Sequence, residues 1–200
     1  PDELPQKYYQ FADLIVKKYN LNVRKVSREM IDKENYGRKF FKLINETYYK
    51  LYGFSVLNDK QIDAYTKQYL SLLDTRMVSF VEDDKGELIA AGITMPDLSL
   101  ALQKCNGELF PTGWYHLLKA IFWKPCDTLD LLLMGVREDY RSRGLNAVII
   151  ADLYPRLKEM GFKYVETTAE LETNDSIQAV WKNFEKEQHK RRRAYGKEIE

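Results

Sequence analysis

The sequence has 200 residues, of which 44% are hydrophobic and 30% charged, so it carries enough apolar side chains for a core and is not of the disordered class. Thirty-one basic against thirty acidic side chains leave a net charge of +1, which argues against a dedicated nucleic-acid binder. The two cysteines and two histidines are far apart, which argues against a disulfide framework and a metal site, and no apolar run is long enough to span a bilayer. We therefore expect a cytoplasmic protein with no metal, no nucleic-acid partner and no membrane partner.

The length predicts a single domain over residues 1–200. The sequence begins at Pro1 without a methionine, which predicts a piece of a longer protein whose N-terminal domain is missing here. Residues 1–20 are expected to be a helix, or a linker to that domain, because four aromatic and aliphatic residues recur at helical spacing. These are Tyr8, Phe11, Ile15 and Tyr19.

A short strand is predicted at 21–26, followed by two helices between 38 and 73. Asn58 and Gln61 are spaced as a capping box for the second of these helices. The hydrophobic period then changes from helical to strand-like, and Arg76–Glu82 and Glu87–Met95 flank a turn-rich tetrapeptide. This pattern predicts a β-hairpin.

Residues 96–127 are rich in turn residues and aromatic residues, and we expect a helical insertion there. Thr128–Val136 is an almost continuous apolar run, which predicts a strand buried on both faces. After a charged stretch, Gly144 opens a helix that Gly161 closes.

Tyr164–Ala169 alternates like a strand. Asn174 is the expected N-cap of a final helix that carries Ile177, Val180, Trp181 and Phe184. The tail, residues 189–195, is expected to be a last strand.

The most informative segment is the basic loop that joins the apolar strand to the helix opened by Gly144. A helix N-terminus presents free backbone N–H groups and a partial positive charge, which suits a phosphate or diphosphate. Gly144 would let such an anion approach the backbone, while Arg141 and Arg143 would add charge. The alternative is that the loop is ordinary α/β architecture with no ligand.

Taken with the order of the elements, this loop resembles the acyl-CoA signature of the GNAT acetyltransferase family, Arg/Gln-x-x-Gly-x-Gly/Ala. Arg141 and Gly144 match its first two fixed positions, whereas Asn146 departs at the third. The resemblance spans about Val23 to Tyr195. It implies an α/β fold of the α+β type, with a mixed central sheet flanked by helices and a helical insertion before the central buried strand.

Within that family the sequence is most similar to a group of long bacterial proteins that carry this domain in their C-terminal half. Four short segments carry this likeness: Pro96-Asp97, Asn106-Gly107, Leu109-Phe110-Pro111 and Leu171-Glu172-Thr173-Asn174.

The resemblance implies an acyl-CoA-dependent N-acyltransferase that uses acetyl-CoA or another acyl-CoA as co-substrate and a small-molecule or peptide amine as acceptor. The pantetheine arm would lie along the buried strand, and the phosphates would lie on the loop. The implied binding residues are Met134, Gly135, Val136, Arg141, Ser142, Arg143, Gly144, Leu145, Asn146, Ala147 and Asn174.

Acyl transfer to an amine needs a base, and Asp130 at the head of the buried strand is the candidate. The alternative is that Asp130 caps the strand or pairs with a lysine. Glu166 and Glu172 are further candidates, and each has a solvent-facing alternative.

GNAT proteins often place a tyrosine seven residues after the asparagine, where it protonates the departing thiolate; here that position is Trp181. Tyr154 and Tyr195 are candidate substitutes for this acid. Because Trp181 and Asn146 depart from the family, a second hypothesis is a catalytically degenerate GNAT-like module that binds CoA or serves a structural or regulatory role.

Two other clusters have a functional and a structural interpretation. Lys190-Arg191-Arg192-Arg193 would contact nucleic acid or the CoA 3′-phosphate, or would be a strand with solvent-facing charges. Trp114, Phe122 and Trp123 would line an acceptor pocket, or would be packing residues.

Overall fold

The structure is a computed structural model, and it describes residues 3–70, 73–123, 126–167, 170–172, 174–193 and 195–196. Two compact units are present: residues 4–169 form the larger one, and residues 1–3 with 170–200 form the smaller one.

Seven helices and five strands are described in the larger unit. The helices are α1 (Gln6–Lys18), α2 (Arg28–Asp32), α3 (Tyr36–Tyr48), α4 (Asp59–Gln68), α5 (Ser99–Cys105), α6 (Gly113–Leu118) and α7 (Leu145–Glu159). The strands are β1 (Asn22–Arg24), β2 (Val78–Glu82), β3 (Leu88–Pro96), β4 (Thr128–Val136) and β5 (Tyr164–Thr167).

The five strands form one mixed sheet in the order β1-β2-β3-β4-β5. Neighbouring strands from β1 to β4 are antiparallel, whereas β5 runs parallel to β4. A parallel pair needs a crossover connection, and α7 supplies it. The predicted mixed α/β architecture is therefore confirmed, and α5 and α6 occupy the predicted insertion between β3 and β4.

Each face of the sheet carries a separate hydrophobic core. On one face the helices α2 to α4 bury side chains such as Phe40 of α3 against Phe80 of β2. On the other face α1 and α7 bury Ile15 and Ile149 with Leu129 of β4. The sheet is thus fixed from both sides, which positions the ends of β4 and β5 relative to α3 and α7.

The predicted capping box of α4 is present. The Asn58 side chain accepts from the Gln61 N–H and the Gln61 side chain accepts from the Asn58 N–H, both at 3.0 Å. We expect Asn58→Ala to lower the free energy of unfolding by about 1 kcal/mol. Because the bonds are reciprocal, the double variant with Gln61→Ala should lose less than the two single losses added. Thermal unfolding checks this, and an unchanged melting temperature for Asn58→Ala would contradict it.

Three elements differ from the prediction. The first strand covers only Asn22–Arg24, because the chain turns into α2, where the Ser27 hydroxyl accepts from the Met30 N–H. Strand β4 has the predicted bounds, but the prediction that it is buried on both faces is wrong, because several of its residues are only half-buried. The predicted strand Tyr164–Ala169 is β5 as far as Thr167, and residues 168 and 169 lie outside the described part.

In the smaller unit, helix α8 (Asp175–Val180) begins after Asn174, whose side chain accepts from the Ile177 N–H at 3.5 Å. This confirms the predicted N-cap. The predicted last strand is wrong over the described residues 189–193, which are irregular. There Arg191 and Arg193 bind the exposed carboxylate of Glu172 at 2.8 Å and 3.4 Å.

Candidate functional site

The described pairing of strands β4 and β5 ends part way along β4. Their pairing runs from Thr128 opposite Tyr164 to Leu131 opposite Thr167, and β4 then continues to Val136. Residues 132–136 of β4 therefore have an edge with which the described residues of β5 do not pair, and we call it the uncovered edge.

A β-bulge lies where the two strands part. Ile93 of β3 faces Leu133 of β4, but Thr94 faces Leu131, so that Leu132 is an extra residue without a register partner. A bulge bends its strand and re-aims the backbone groups around it. Here the bulge lies at Leu132, just before the residues of β4 that form the rest of the uncovered edge.

The hydroxyl of Tyr48, in the last turn of α3, reaches this edge. Arg137 N–H donates to Ile89 O at 2.8 Å. Hydrogen-bonded and non-hydrogen-bonded pairs alternate along an antiparallel ladder, so Met134, opposite Gly92, is at a non-hydrogen-bonded position. Its backbone N–H and C=O therefore point away from β3. Tyr48 Oη donates to Met134 O at 3.0 Å and accepts from the Met134 N–H at 3.3 Å. Burial raises the pKa of Tyr48, so its phenol keeps the proton that it donates.

Two further contacts tie the end of α3 to the segment that follows β4. Arg141 Nη2 donates to Thr47 O at 3.0 Å, and Lys50 Nζ donates to Glu138 Oε1 at 2.8 Å. The latter bond raises the pKa of Lys50 and lowers the pKa of Glu138. A Cβ on Gly135 would lie 3.0 Å from Thr47 Oγ1, so a side chain there would push α3 away from the strand.

The loop predicted to bind an anion leads directly from β4 into α7. Ser142 and Gly144 have left-handed backbone angles, with φ of 61° and 83°. Gly144 is the N-cap of α7 and provides no side-chain hydrogen bond to the first turn. In this turn the Ala147 N–H donates to Gly144 O at 2.9 Å. The first N–H groups of a helix have no acceptor within the helix, and the helix dipole adds partial positive charge there.

Gly144 also has a packing role that the sequence analysis did not foresee. A Cβ at this position would lie 2.6 Å from Ile15 Cδ1 and 3.2 Å from the ring of Phe11, both on α1. Arg143 lies over the rings of Tyr19 and Tyr140, at 5.1 Å and 4.6 Å from the ring centres. Helix α1 therefore supports the loop from one side.

The structure brings most of the predicted binding residues together at this end of β4 and α7. Leu145 and Ala147 are buried in the core, so only their backbone groups can serve a ligand. Asn174 and Tyr195 belong to the smaller unit, where Tyr195 is 88% exposed.

Asp130 lies next to the point where β4 and β5 part. It is opposite Glu166 of β5 and Met95 of β3 in the strand register, and both carboxylates are half-buried. Because Leu129 points into the core formed with α7, Asp130 points to the opposite face, the face that carries α3. Two carboxylates therefore occupy neighbouring positions on one face of the sheet.

The other predicted candidates lie elsewhere. Tyr154 is half-buried on α7, and Glu172 is exposed in the smaller unit. Trp181 Nε1 donates to Glu170 Oε1 at 2.7 Å, so the indole at the position predicted for a catalytic tyrosine already has an acceptor. In the insertion, Trp114 Nε1 donates to Pro111 O at 2.8 Å, and the side chains of residues 122 and 123 lie outside the description.

Within the described ranges, no group of three His, Cys, Asp or Glu side chains is placed to hold a metal ion. A search of the same residues finds no helix with the length and apolar character that crossing a membrane requires. Cys105 and Cys126 are free thiols, and their Sγ atoms contact backbone carbonyl oxygens.

Comparison with known proteins adds one sequence relative and several structures. No protein-family model matches the chain. Protein YghO of Escherichia coli (strain K12) is 25% identical over 183 residues, which are 88% of this chain and 47% of YghO. The chain thus spans about half the length of that curated relative.

Two solved structures illustrate the structural likeness. An aminoglycoside acetyltransferase, meta-AAC0020, from an uncultured soil metagenomic sample matches 91% of this chain and 99% of its own, with a TM-score of 0.53 and 15% identity. A GCN5-related N-acetyltransferase from Sphaerobacter thermophilus matches 76% of this chain and 36% of its own, with a TM-score of 0.50 and 12% identity. The chain therefore has the fold of the GCN5-related N-acetyltransferases (GNAT), which confirms the fold predicted from its sequence.

Proposed function

We propose that the protein is an acyl-CoA-dependent N-acyltransferase that moves an acetyl group from acetyl-CoA to an amine. One observation carries this proposal: the uncovered edge of β4 leads straight into the loop at the uncapped N-terminus of α7. An extended ligand with amide groups at one end and a diphosphate at the other fits this sequence of features. The strand edge offers N–H and C=O groups, and the helix offers N–H groups and positive potential.

The reaction is direct transfer. The neutral amine nitrogen attacks the thioester carbonyl carbon, a C–N bond forms, the C–S bond breaks, and the CoA thiolate leaves and takes up a proton. An alkylamine is mostly protonated at neutral pH, so it must first lose one proton to a base; after the attack its nitrogen loses a second proton, which balances the one that the thiolate takes up. We assign the role of base to Asp130, which lies beside the point where β4 and β5 separate, with Glu166 opposite it as the second carboxylate.

The proposal extends to the setting of the reaction. The acceptor is a small-molecule or peptide amine that approaches from the α3 face, the co-substrate is acetyl-CoA, and the protein acts in the cytoplasm. A further domain precedes this one in the whole protein, in line with a relative of which this chain matches 47%.

Thermal unfolding with and without acetyl-CoA, on the wild type and on Asn146→Asp, tests the binding site. A ligand at about 100 times its Kd adds about 2.7 kcal/mol, which raises the melting temperature of a protein of this size by roughly 5–10 °C. Asn146 is in the first turn of α7, where a carboxylate favours the helix dipole but repels a diphosphate. The variant should therefore melt no lower than the wild type without ligand, and should lose most of the shift.

The matched control is Gln103→Glu, the same amide-to-carboxylate change at an exposed position of α5. This control should keep the full shift. No shift in any of the three proteins would overturn the proposed binding of acetyl-CoA. A full shift in Asn146→Asp would place the phosphates away from this loop.

A second candidate function is a degenerate module that binds CoA without turnover. The observation that favours it is the replacement of the family tyrosine by Trp181, whose N–H is held by Glu170. The two functions differ in thiol release from acetyl-CoA across a panel of amines and peptides. Release that depends on the amine supports the enzyme, and binding without release supports the module.

A further inference from the structure

The hydroxyl of Tyr48 satisfies the two backbone groups that a neighbouring strand would otherwise satisfy. It donates to the carbonyl oxygen of Met134 and accepts from the N–H of the same residue, at 3.0 Å and 3.3 Å. The described residues of β5 pair with β4 only as far as Leu131. A single side chain from α3 thus caps the uncovered edge at its middle.

This contact is held from several sides. The Tyr48 ring packs edge-on against Phe54, with ring centres 5.8 Å apart. On either side of Tyr48, Thr47 O accepts from Arg141 and Lys50 pairs with Glu138. Since backbone polar groups away from water need partners, the hydroxyl stabilises the strand edge while that edge has no ligand.

The same two groups lie on the route of the proposed acyl-CoA. An amide of an extended ligand that follows the edge of β4 needs an N–H donor and a C=O acceptor, and Met134 presents both on that side. The hydroxyl and the ligand amide cannot occupy them together. One of the two must leave.

We infer that Tyr48 is an internal substitute for the acyl-CoA. In the free protein the Tyr48 hydroxyl occupies the N–H and C=O of Met134, and it is displaced when the ligand pairs with the strand. This inference rests on the proposed function and adds a residue that controls access to its binding edge. The wild type then binds only through the fraction of molecules in which the hydroxyl has left Met134, which weakens its apparent affinity.

The experiment is calorimetric titration with acetyl-CoA of the wild type, Tyr48→Phe and the control Tyr65→Phe. Tyr48→Phe keeps the ring against Phe54 and removes the hydroxyl. Tyr65, on α4, packs with Phe41 and Tyr69 and carries the same chemical change in the same layer of helices. We expect the Kd of Tyr48→Phe to be about tenfold lower than that of the wild type, and the Kd of Tyr65→Phe to be unchanged.

A second variant, Phe54→Leu, keeps the hydroxyl but removes the ring that holds Tyr48 in place, and it should lower the Kd by a smaller factor. It keeps the test valid if Tyr48→Phe does not fold. An equal or higher Kd in Tyr48→Phe, with binding intact in the wild type, would overturn this inference and leave the proposed function standing. If Tyr48→Phe is unfolded, the same result in Phe54→Leu would overturn it. Folded proteins that all fail to bind acetyl-CoA would overturn both.

Discussion

Replacing Leu43 by alanine is expected to lower the free energy of unfolding by about 2–5 kcal/mol. Leu43 is 2% exposed and belongs to the core between α3 and the sheet, so the smaller side chain leaves a cavity that rigid neighbours cannot fill. For a protein of this size the loss corresponds to a fall in melting temperature of roughly 4–20 °C. Urea unfolding measures the loss directly, and the slope of the free energy of unfolding against urea concentration should not change.

The control for this prediction is Leu14→Ala. Leu14 is also in the interior of a helix, α1, but is 65% exposed, so helix propensity changes equally while little burial is lost. We expect a change within about 0.5 kcal/mol for this variant. Equal losses at the two positions would mean that α3 is not packed on the sheet as described.

Replacing Asp130 by asparagine is expected to lower kcat/KM for the amine by about a hundredfold while the Kd of acetyl-CoA stays unchanged. Asparagine has the shape of aspartate but cannot accept the amine proton at neutral pH. The defect should shrink as the pH rises toward the pKa of an alkylamine, near 10, because the acceptor is then neutral without help. Steady-state rates between pH 7 and pH 10 measure both effects.

Asp84→Asn, at the exposed turn between β2 and β3, is the matched control and should leave the rates unchanged. If Asp130 only caps the strand or pairs with a lysine, Asp130→Asn would lose stability. Its loss of rate would then not shrink as the pH rises. A rate equal to that of the wild type would give the role of base to another group, with Glu166 as the next to test.

The fold was predictable because its signals are local in the sequence. The capping box of Asn58 and Gln61, the turn between β2 and β3, and the apolar run of β4 each lie within a dozen residues, and their order then restricts the topology. The loop at Gly144 was predictable for the same reason. The partial exposure of β4 was not predictable, because it depends on contacts with distant elements and not on the strand's own sequence.

The contact between Tyr48 and β4 could not be predicted in this way. The two partners are 86 residues apart, and a tyrosine at helical spacing on an apolar face resembles any packing residue. Only the register of β4, with the bulge at Leu132, places the polar groups of Met134 where α3 can reach them. The contact between Ile15 and Gly144 also joins residues far apart in the sequence, and no local motif predicts it.

The position of α1 changes where the functional domain must be taken to begin. An alignment to the motif alone would start the domain at β1 and treat the preceding helix as dispensable. Yet Ile15 and Phe11 lie against Gly144, and the Tyr19 ring contacts Arg143. Residues before the first strand therefore support the loop. A displacement of α1 would thus be transmitted to the start of α7 and to the proposed phosphate site.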